Sequence, residues 1–305
     1  MRAVRRTDRG VEVVDVAPPT SGVRVHITSA GICGSDFHLI EQGPLPQTLG
    51  HEFGGVLDDG TAVAVRPYVT CGSCGPCRAG RVHLCTTALA RFHGVSVDGG
   101  LADEVGVDPA CLVPLPSGLD PADAGLAEPA AVAVHGIRGL GVTSGQRVLV
   151  IGAGPIGLCA IAAAIRAGAA VDVSARRADR QAAAARIGAG VTEGDDYDVV
   201  FDAAGTSESA GHAVERVAPG GRVGMLGTWW DPVALDGRWQ LKEVALVPAF
   251  LYQTSEFESA AQLLADMPEL KAAAVTHRFA LADAAEAFRV AADRSTGAIK
   301  VLLHP

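Results

Sequence analysis

The chain has no excess of positive charge. Across 305 residues, 25 Lys and Arg face 34 Asp and Glu, a formal net charge of −9. A phosphate backbone or an anionic bilayer is a poor electrostatic match for such a chain, so nucleic-acid and membrane-surface roles are disfavoured. It also has no uncharged apolar run of the about 18 residues that a membrane helix requires. The stretch Ile156–Val171 is broken by Arg166 and rich in alanine, and reads as a buried helix. No apolar core follows the basic start Met1-Arg2-Ala3-Val4-Arg5-Arg6, which argues against a secretory signal and for a cytoplasmic protein. Repeats and low-complexity tracts are missing too, since the 37 glycines and 17 prolines are scattered as turn punctuation. At 49% hydrophobic and 19% charged, the composition supplies large cores and too little charge for disorder. The length suits two domains.

To about residue 118 the chain reads as short strands between turn signals, among them Val11–Val16, Val23–Ser29, Ala62–Val65 and Leu101–Val107. Beyond Pro114–Asp120, alanine-rich helical stretches alternate with short Val/Ile/Leu strands, the pattern of a parallel sheet. The predicted strands are Arg147–Ile151, Ala170–Ser174, Tyr197–Asp202 and Arg222–Leu226; the predicted helices are Pro155–Ala167, Asp179–Ile187 and Ser207–Val217. Helices Glu256–Leu264 and Leu281–Ala292 and a strand Ala298–Leu303 close the chain. The expected division is a β-rich domain at 1–118, a parallel-sheet domain at 119–270, and a return of 271–305 to the first.

Seven cysteines carry more information than the charge, because Cys71, Cys74, Cys77 and Cys85 are packed together. Without a secretory signal, such a cluster points to a metal before a disulfide framework. The two x2 spacings, threaded through Gly72, Gly75, Pro76 and Gly80, bend the chain so that several sulfurs face one point. A closed four-thiolate zinc site is the favoured reading, and four-cysteine iron–sulfur ligation is the rival.

Val148-Leu149-Val150-Ile151-Gly152-Ala153-Gly154-Pro155-Ile156-Gly157 places G-x-G-x-x-G between a strand and a helix. Gly152 serves the tight turn, Gly154 the approach of a pyrophosphate, and Gly157 the packing of helix on sheet. Pro155 and Ile156 open the helix whose free N–H groups attract phosphate. The end of the second strand chooses the dinucleotide. An acid there suits the ribose of NAD, and a nearby arginine the 2′-phosphate of NADP. The acidic position falls on Ala175, with Ser174 before it and Arg176 and Arg177 after it, while Asp172 lies too early, inside the strand. NADP is therefore the expected cofactor; two solvated arginines on a surface turn are the ordinary alternative.

Upstream stand Gly31-Ile32-Cys33-Gly34-Ser35-Asp36-Phe37-His38 and Gly50-His51-Glu52. Cys33 and His51 are plausible ligands for a second zinc, with a carboxylate from Glu52 or Glu128. Each taken singly also reads as a buried thiol, a core histidine or a surface acid.

Cys33-Gly34-Ser35-Asp36, Gly50-His51-Glu52, the cysteine lobe, Glu128-Pro129 and the glycine-rich turn occur in one order. In that order the chain resembles the zinc-dependent medium-chain dehydrogenase/reductase superfamily, nearest its sorbitol and threonine dehydrogenase branch of alcohol and polyol dehydrogenases. The likeness runs to Gly297-Ala298-Ile299-Lys300-Val301. It implies an α/β protein with a Rossmann cofactor domain and a β-rich, GroES-like zinc-binding catalytic domain. It implies one catalytic and one structural zinc per chain, with Cys33 and His51 as catalytic ligands. Glu52 or Glu128 would be the third, or Glu128 would hold the zinc-bound water. Asp36 would orient the ligand histidine, and Ser35 and His38 would relay the alcohol's proton through the cofactor ribose toward solvent. The implied reaction passes hydride between an alcohol or polyol and NADP(H), in a homodimer or homotetramer.

Three features depart from the family pattern. Only Leu57–Ala62 separates Val56 from Val63, and only Glu193-Gly194-Asp195-Asp196 separates Val191-Thr192 from Tyr197. A parallel crossover normally takes a dozen or more residues, so the usual third helix of the nucleotide fold is expected to be missing. Third, Gly227–Leu246 carries Trp229, Trp230 and Trp239, which would line a pocket, an oligomer interface or the core. Phe37, Phe92, His93 and Trp229 are candidate cleft residues. The alternatives to the leading reading are a zinc-stabilised nucleotide-binding protein without turnover, and an NAD-linked dehydrogenase of an amino alcohol or sugar. A DNA-binding zinc module is weaker, because the lobe has only Arg78 and Arg81 as strong cations.

Overall fold

The computed structural model describes residues 1–191 and 194–305. Its fold is mixed α/β, and the chain divides into two compact units. The first comprises Met1–Glu128, Gln253–Asp266 and Val275–Pro305; the second comprises Pro129–Tyr252 and Met267–Ala274.

The first unit opens with β1 (Arg2–Thr7) and β2 (Gly10–Asp15), an antiparallel pair. Next come β3 (Val23–Gly31), α1 (Gly34–Ile40), β4 (Glu52–Val56), β5 (Ala62–Val65), α2 (Gly75–Arg78), β6 (Glu104–Val107) and β7 (Leu112–Pro114). The short β4–β5 link is a tight turn: the Leu57 N–H donates to the Thr61 carbonyl at 2.9 Å, and Gly60 supplies a φ of +87°.

The second unit follows with α3 (Ala127–Gly139), β8 (Arg147–Ile151), α4 (Pro155–Arg166), β9 (Ala170–Ser174), α5 (Ala178–Ile187) and β10 (Gly190–Val191). Then come β11 (Tyr197–Asp202), α6 (Ser207–Arg216), β12 (Val217–Met225), α7 (Gly237–Leu241) and β13 (Ala245–Pro248). Among the described residues the sheet order is β10-β9-β8-β11-β12-β13, parallel throughout. That is the doubly wound order 3-2-1-4-5-6, whose direction reverses between β8 and β11, so ligands are expected at the carboxyl ends there. Val148, Leu149, Val150, Val199, Val200 and Phe201 are fully buried, as a sheet covered on both faces demands. No helix lies between β10 and β11 among the described residues; Thr192 and Glu193 in that short connection lie outside them.

The chain ends with α8 (Thr254–Asp266), α9 (Pro268–Ala274), β14 (Val275–Ala280), α10 (Ala284–Ala292) and β15 (Lys300–His304). Helix α9 packs on α4 and α5 in the second unit, whereas α8 belongs to the first. The periodicity that groups 119–270 together sees a helix but not the surface it covers, so the compact units divide elsewhere. Strand β15 pairs antiparallel with β3, setting Leu302 against Gly31, and the first unit's larger sheet runs β14-β15-β3-β4-β5-β7 with β6 also on β3. Among the described residues no helix is long and apolar enough to cross a membrane.

A side chain at Gly157 would place its Cβ 1.9 Å from the Gly152 carbonyl oxygen, whereas at Gly154 nothing lies within 4 Å. Gly157→Ala should therefore cost about 2–3 kcal/mol in urea unfolding, and Gly154→Ala less than about 1 kcal/mol. Equal losses at the two positions would contradict this packing.

Candidate metal centres and nucleotide site

The carboxyl end of β3, the start of α1 and the start of β4 meet at one point. Cys33 caps α1 with extended backbone, and the Asp36 carboxylate accepts its N–H at 2.8 Å. Gly50 takes a φ of +92° that turns the chain into the buried His51. One nitrogen of that ring, Nδ1, lies 3.3 Å from Asp36 Oδ1, and the other, Nε2, lies 3.4 Å from Ser35 Oγ. A ligand atom from each of Cys33, His51 and Glu52 falls within 4.8 Å of the others. Burial disfavours a charged His51, but the Asp36 carboxylate and Cys33 outweigh it and hold the ring's pKa well above the ordinary imidazole value. His51 Nδ1 and Asp36 Oδ1 are buried and facing, yet not aligned in a hydrogen bond. A cation on the Nε2 side would fix the proton on Nδ1 and give Asp36 its donor, so this donor set fits a metal.

Glu52 arrives with its charge already balanced. Lys300, fully buried on β15, donates to both Glu52 oxygens at 2.7 and 2.6 Å and to the Ile32 carbonyl at 2.9 Å. Burial alone would discharge this lysine; Glu52 and Cys33 more than offset it and raise its pKa. Gly31, opposite Glu52 on β3, leaves the space the carboxylate occupies, since a Cβ there would sit 2.1 Å from Glu52 Oε2. Sequence reasoning missed Lys300, although a lysine inside the apolar strand Lys300–His304 was a signal. Glu128 is buried at the start of α3 but is not in the Cys33–His51–Glu52 group.

Ser35 faces His51, whereas His38 is half-exposed with Nδ1 3.7 Å from Glu41. Of the candidate cleft residues, Phe37 meets Phe288 edge-on at 5.7 Å, and buried His93 bonds the Asp98 carbonyl at 2.7 Å. Phe92 is also buried, stacked on Tyr68 and edge-on to His51 at 6.0 Å.

The lobe brings Cys71, Cys74, Cys77 and Cys85 together, their sulfurs all within 4.8 Å. Cys71 and Cys77 Sγ are 4.0 Å apart, close to the about 3.8 Å edge of a tetrahedron with about 2.3 Å zinc–sulfur bonds. The Cys74 N–H donates to Cys71 Sγ and the Cys71 N–H to Cys85 Sγ, each at 3.3 Å. Gly72 and Gly80 take φ of +69° and +72°. Backbone donors, Ser73 foremost, lower the Cys71 thiol to about 5, while burial and neighbouring sulfurs push Cys77 up to about 12. Four cysteine sulfurs at this spacing fit a cation that would hold them all as thiolates.

At the glycine-rich turn Gly152 has a φ of +97° and donates its N–H to the Ser174 carbonyl at 2.9 Å. Gly154 caps α4 with open space beside it, and Pro155 stands in the first turn with half-buried Ile156. This is a cradle that fits a pyrophosphate at a twelve-residue helix. At the neighbouring strand end, Ser174 Oγ lies 3.2 Å from His212 Nε2, Arg176 pairs with Glu208 at 3.1 Å, and Arg177 pairs with Asp179 at 2.8 Å. Asp172 accepts from the Tyr197 hydroxyl at 2.7 Å.

The three tryptophans have separate fates. Trp239 is buried in the core, and Trp230 is exposed. Trp229 donates its indole N–H to buried Asp202 at 2.8 Å and lines a cavity of about 460 Å³ beyond the ends of β12 and β13, with Thr228, Val233 and Phe250.

Comparison with known proteins agrees with this geometry. Residues 19–117 match the alcohol dehydrogenase GroES-like domain, and residues 168–299 match the zinc-binding dehydrogenase family. An L-galactonate-5-dehydrogenase of Escherichia coli K12 is 30% identical over 302 residues, covering 89% of this chain and 88% of its own. A Sinorhizobium meliloti protein described as a zinc-binding dehydrogenase, solved with NADP, superposes with a TM-score of 0.90 at 28% identity, covering 100% and 99% of the two chains. An Escherichia coli CFT073 alcohol dehydrogenase solved with NADH gives 0.90 at 27% identity, with the same coverage. The chain belongs to the zinc-binding dehydrogenases of the medium-chain superfamily, in the group that includes alcohol, polyol and threonine dehydrogenases.

Removing one partner of a buried ion pair strands the other charge. Lys300→Met should cost about 3–5 kcal/mol in chemical denaturation, and Lys300→Met with Glu52→Gln should recover most of that loss. Additive losses in the double variant would contradict the coupling.

Proposed function

We propose that this chain interconverts an alcohol or polyol and the corresponding ketone or aldehyde, with NADP(H) as the hydride carrier and two zinc ions per chain. The observation that carries this reading is the convergence of Cys33, His51 and Glu52 beside Asp36 and Ser35. Cys33 and His51 hold the catalytic zinc with Glu52 as third ligand, and buried Glu128 is the runner-up. Cys71, Cys74, Cys77 and Cys85 hold the structural zinc. When bound, the catalytic zinc supplies Lewis acidity at the substrate oxygen and the nicotinamide accepts the hydride.

The chain's own groups do the rest. Asp36 fixes the tautomer and orientation of His51. Ser35 and the exposed His38, on the same helix α1, are the residues that would move the alcohol's proton toward solvent. Lys300 keeps Glu52 from adding an uncompensated charge. Gly152, Gly154, Pro155, Ile156 and Gly157 seat the pyrophosphate, and Ser174, Arg176 and Arg177 take the 2′-phosphate. Support for NADP comes from Ala175, which offers no carboxylate to a ribose hydroxyl, and from Asp172, which is engaged by Tyr197. Exposed Trp230, Leu235, Leu241 and Phe250 on the second unit, which also carries the edge strand β13, favour a homodimer or homotetramer. The acidic, small-molecule-directed chain is read as cytoplasmic, with no nucleic-acid or membrane partner.

A panel of polyols, sugar acids and amino alcohols, assayed with NADP and NAD, tests this reading. A higher kcat/KM with NADP is expected, and equal efficiency or a preference for NAD contradicts it. Cys33→Ser should lower turnover by about a thousandfold while nucleotide binding persists.

A further inference from the structure

The turn after β9 is completed from α6. That helix is pinned to the end of β11: Thr206 Oγ1 accepts the Ser209 N–H at 3.1 Å, and the Ser209 hydroxyl donates to Asp202 at 3.0 Å. Glu208 and His212, four residues apart, therefore share a fixed helix face. That face meets the turn at both polar positions, with Glu208 on Arg176 at 3.1 Å and His212 Nε2 on Ser174 Oγ at 3.2 Å. Of the neighbouring groups, Arg177 is engaged with Asp179, and Asp172, inside β9, with Tyr197.

We propose that α6 sets the choice of dinucleotide at this turn, with His212 as a positioning residue for Ser174 and Glu208 as the counter-ion that a 2′-phosphate displaces from Arg176. The inference rests on the NADP reading above and deepens it. In this role the His212 tautomer protonated at Nε2 donates to Ser174 Oγ, which leaves the serine's own proton to donate outward to a phosphate oxygen. Burial and nearby Arg216 hold the His212 pKa below the ordinary imidazole value, in keeping with a neutral ring in this role. The other charged groups around it are Glu215, Asp195 and Glu208. The Arg176–Glu208 pair is exposed, its side chains 80% and 75% accessible, so it exchanges cheaply for a dianionic phosphate. A neutral 2′-hydroxyl would not displace Glu208.

The test uses 2′,5′-ADP and 5′-AMP, which differ in the 2′-phosphate and lack nicotinamide, titrated calorimetrically into the intact protein. Wild type should favour 2′,5′-ADP; no preference would overturn the NADP reading and this inference with it. With that preference present, His212→Leu should weaken 2′,5′-ADP about tenfold and leave 5′-AMP unchanged, and His212→Gln, which keeps a donor, should restore most of the loss. Glu208→Gln should tighten 2′,5′-ADP severalfold without affecting 5′-AMP. Equal weakening of both nucleotides by His212→Leu, or weaker 2′,5′-ADP binding in Glu208→Gln, would overturn the role of α6 and leave the NADP reading standing.

Discussion

A lysine and a glutamate can be buried side by side only if each satisfies the other, and the Lys300–Glu52 pair is the constraint around which the candidate metal centre is arranged. It spans 248 positions in sequence and closes over Gly31 at the end of β3. The third proton of Lys300 goes to the Ile32 carbonyl, the residue before Cys33. One ammonium group therefore places Glu52, its neighbour His51 and the segment leading to Cys33. The final strand, β15, thus completes a site whose other members lie within the first sixty residues.

What was legible in the sequence was what local spacing encodes. The lobe could be read because its four thiols are close in sequence and Gly72 and Gly80 bend the chain at positive φ. The nucleotide turn could be read because a strand, three glycines and a helix are contiguous, and the Rossmann and GroES-like classes followed from it together with the family motifs. Partners that arrive from distant elements were not legible. His212 and Glu208 reach the β9 turn from a helix more than thirty residues away, and no local pattern announces them. The same applies to α8, whose sequence reads as one more helix of the alternating series but which groups with the first unit.

Two connections in this chain are short. The β4–β5 link is a tight turn, yet Glu52 at the start of β4 keeps its lysine. No helix separates β10 from β11 among the described residues, yet β8, α4 and β9 retain the strand–turn–helix–strand unit with Gly152 at its turn. Function in such a fold is carried by strand ends and helix starts, which hold their geometry through sheet pairing, so loops elsewhere can shrink. Asp202 illustrates the economy: from the end of β11 it accepts the N–H groups of Ala204 and Gly205, the Ser209 hydroxyl and the Trp229 indole. One carboxylate thereby orders the start of α6 and the tryptophan wall of the cavity.

Two separate clusters, one of four thiols and one of Cys33, His51 and Glu52, are each proposed to hold a zinc ion. Elemental analysis of protein equilibrated with a slight excess of zinc and then desalted addresses this directly. Two zinc ions per chain are predicted. One per chain would leave only the lobe occupied and the Cys33–His51–Glu52 cluster without a metal-binding role.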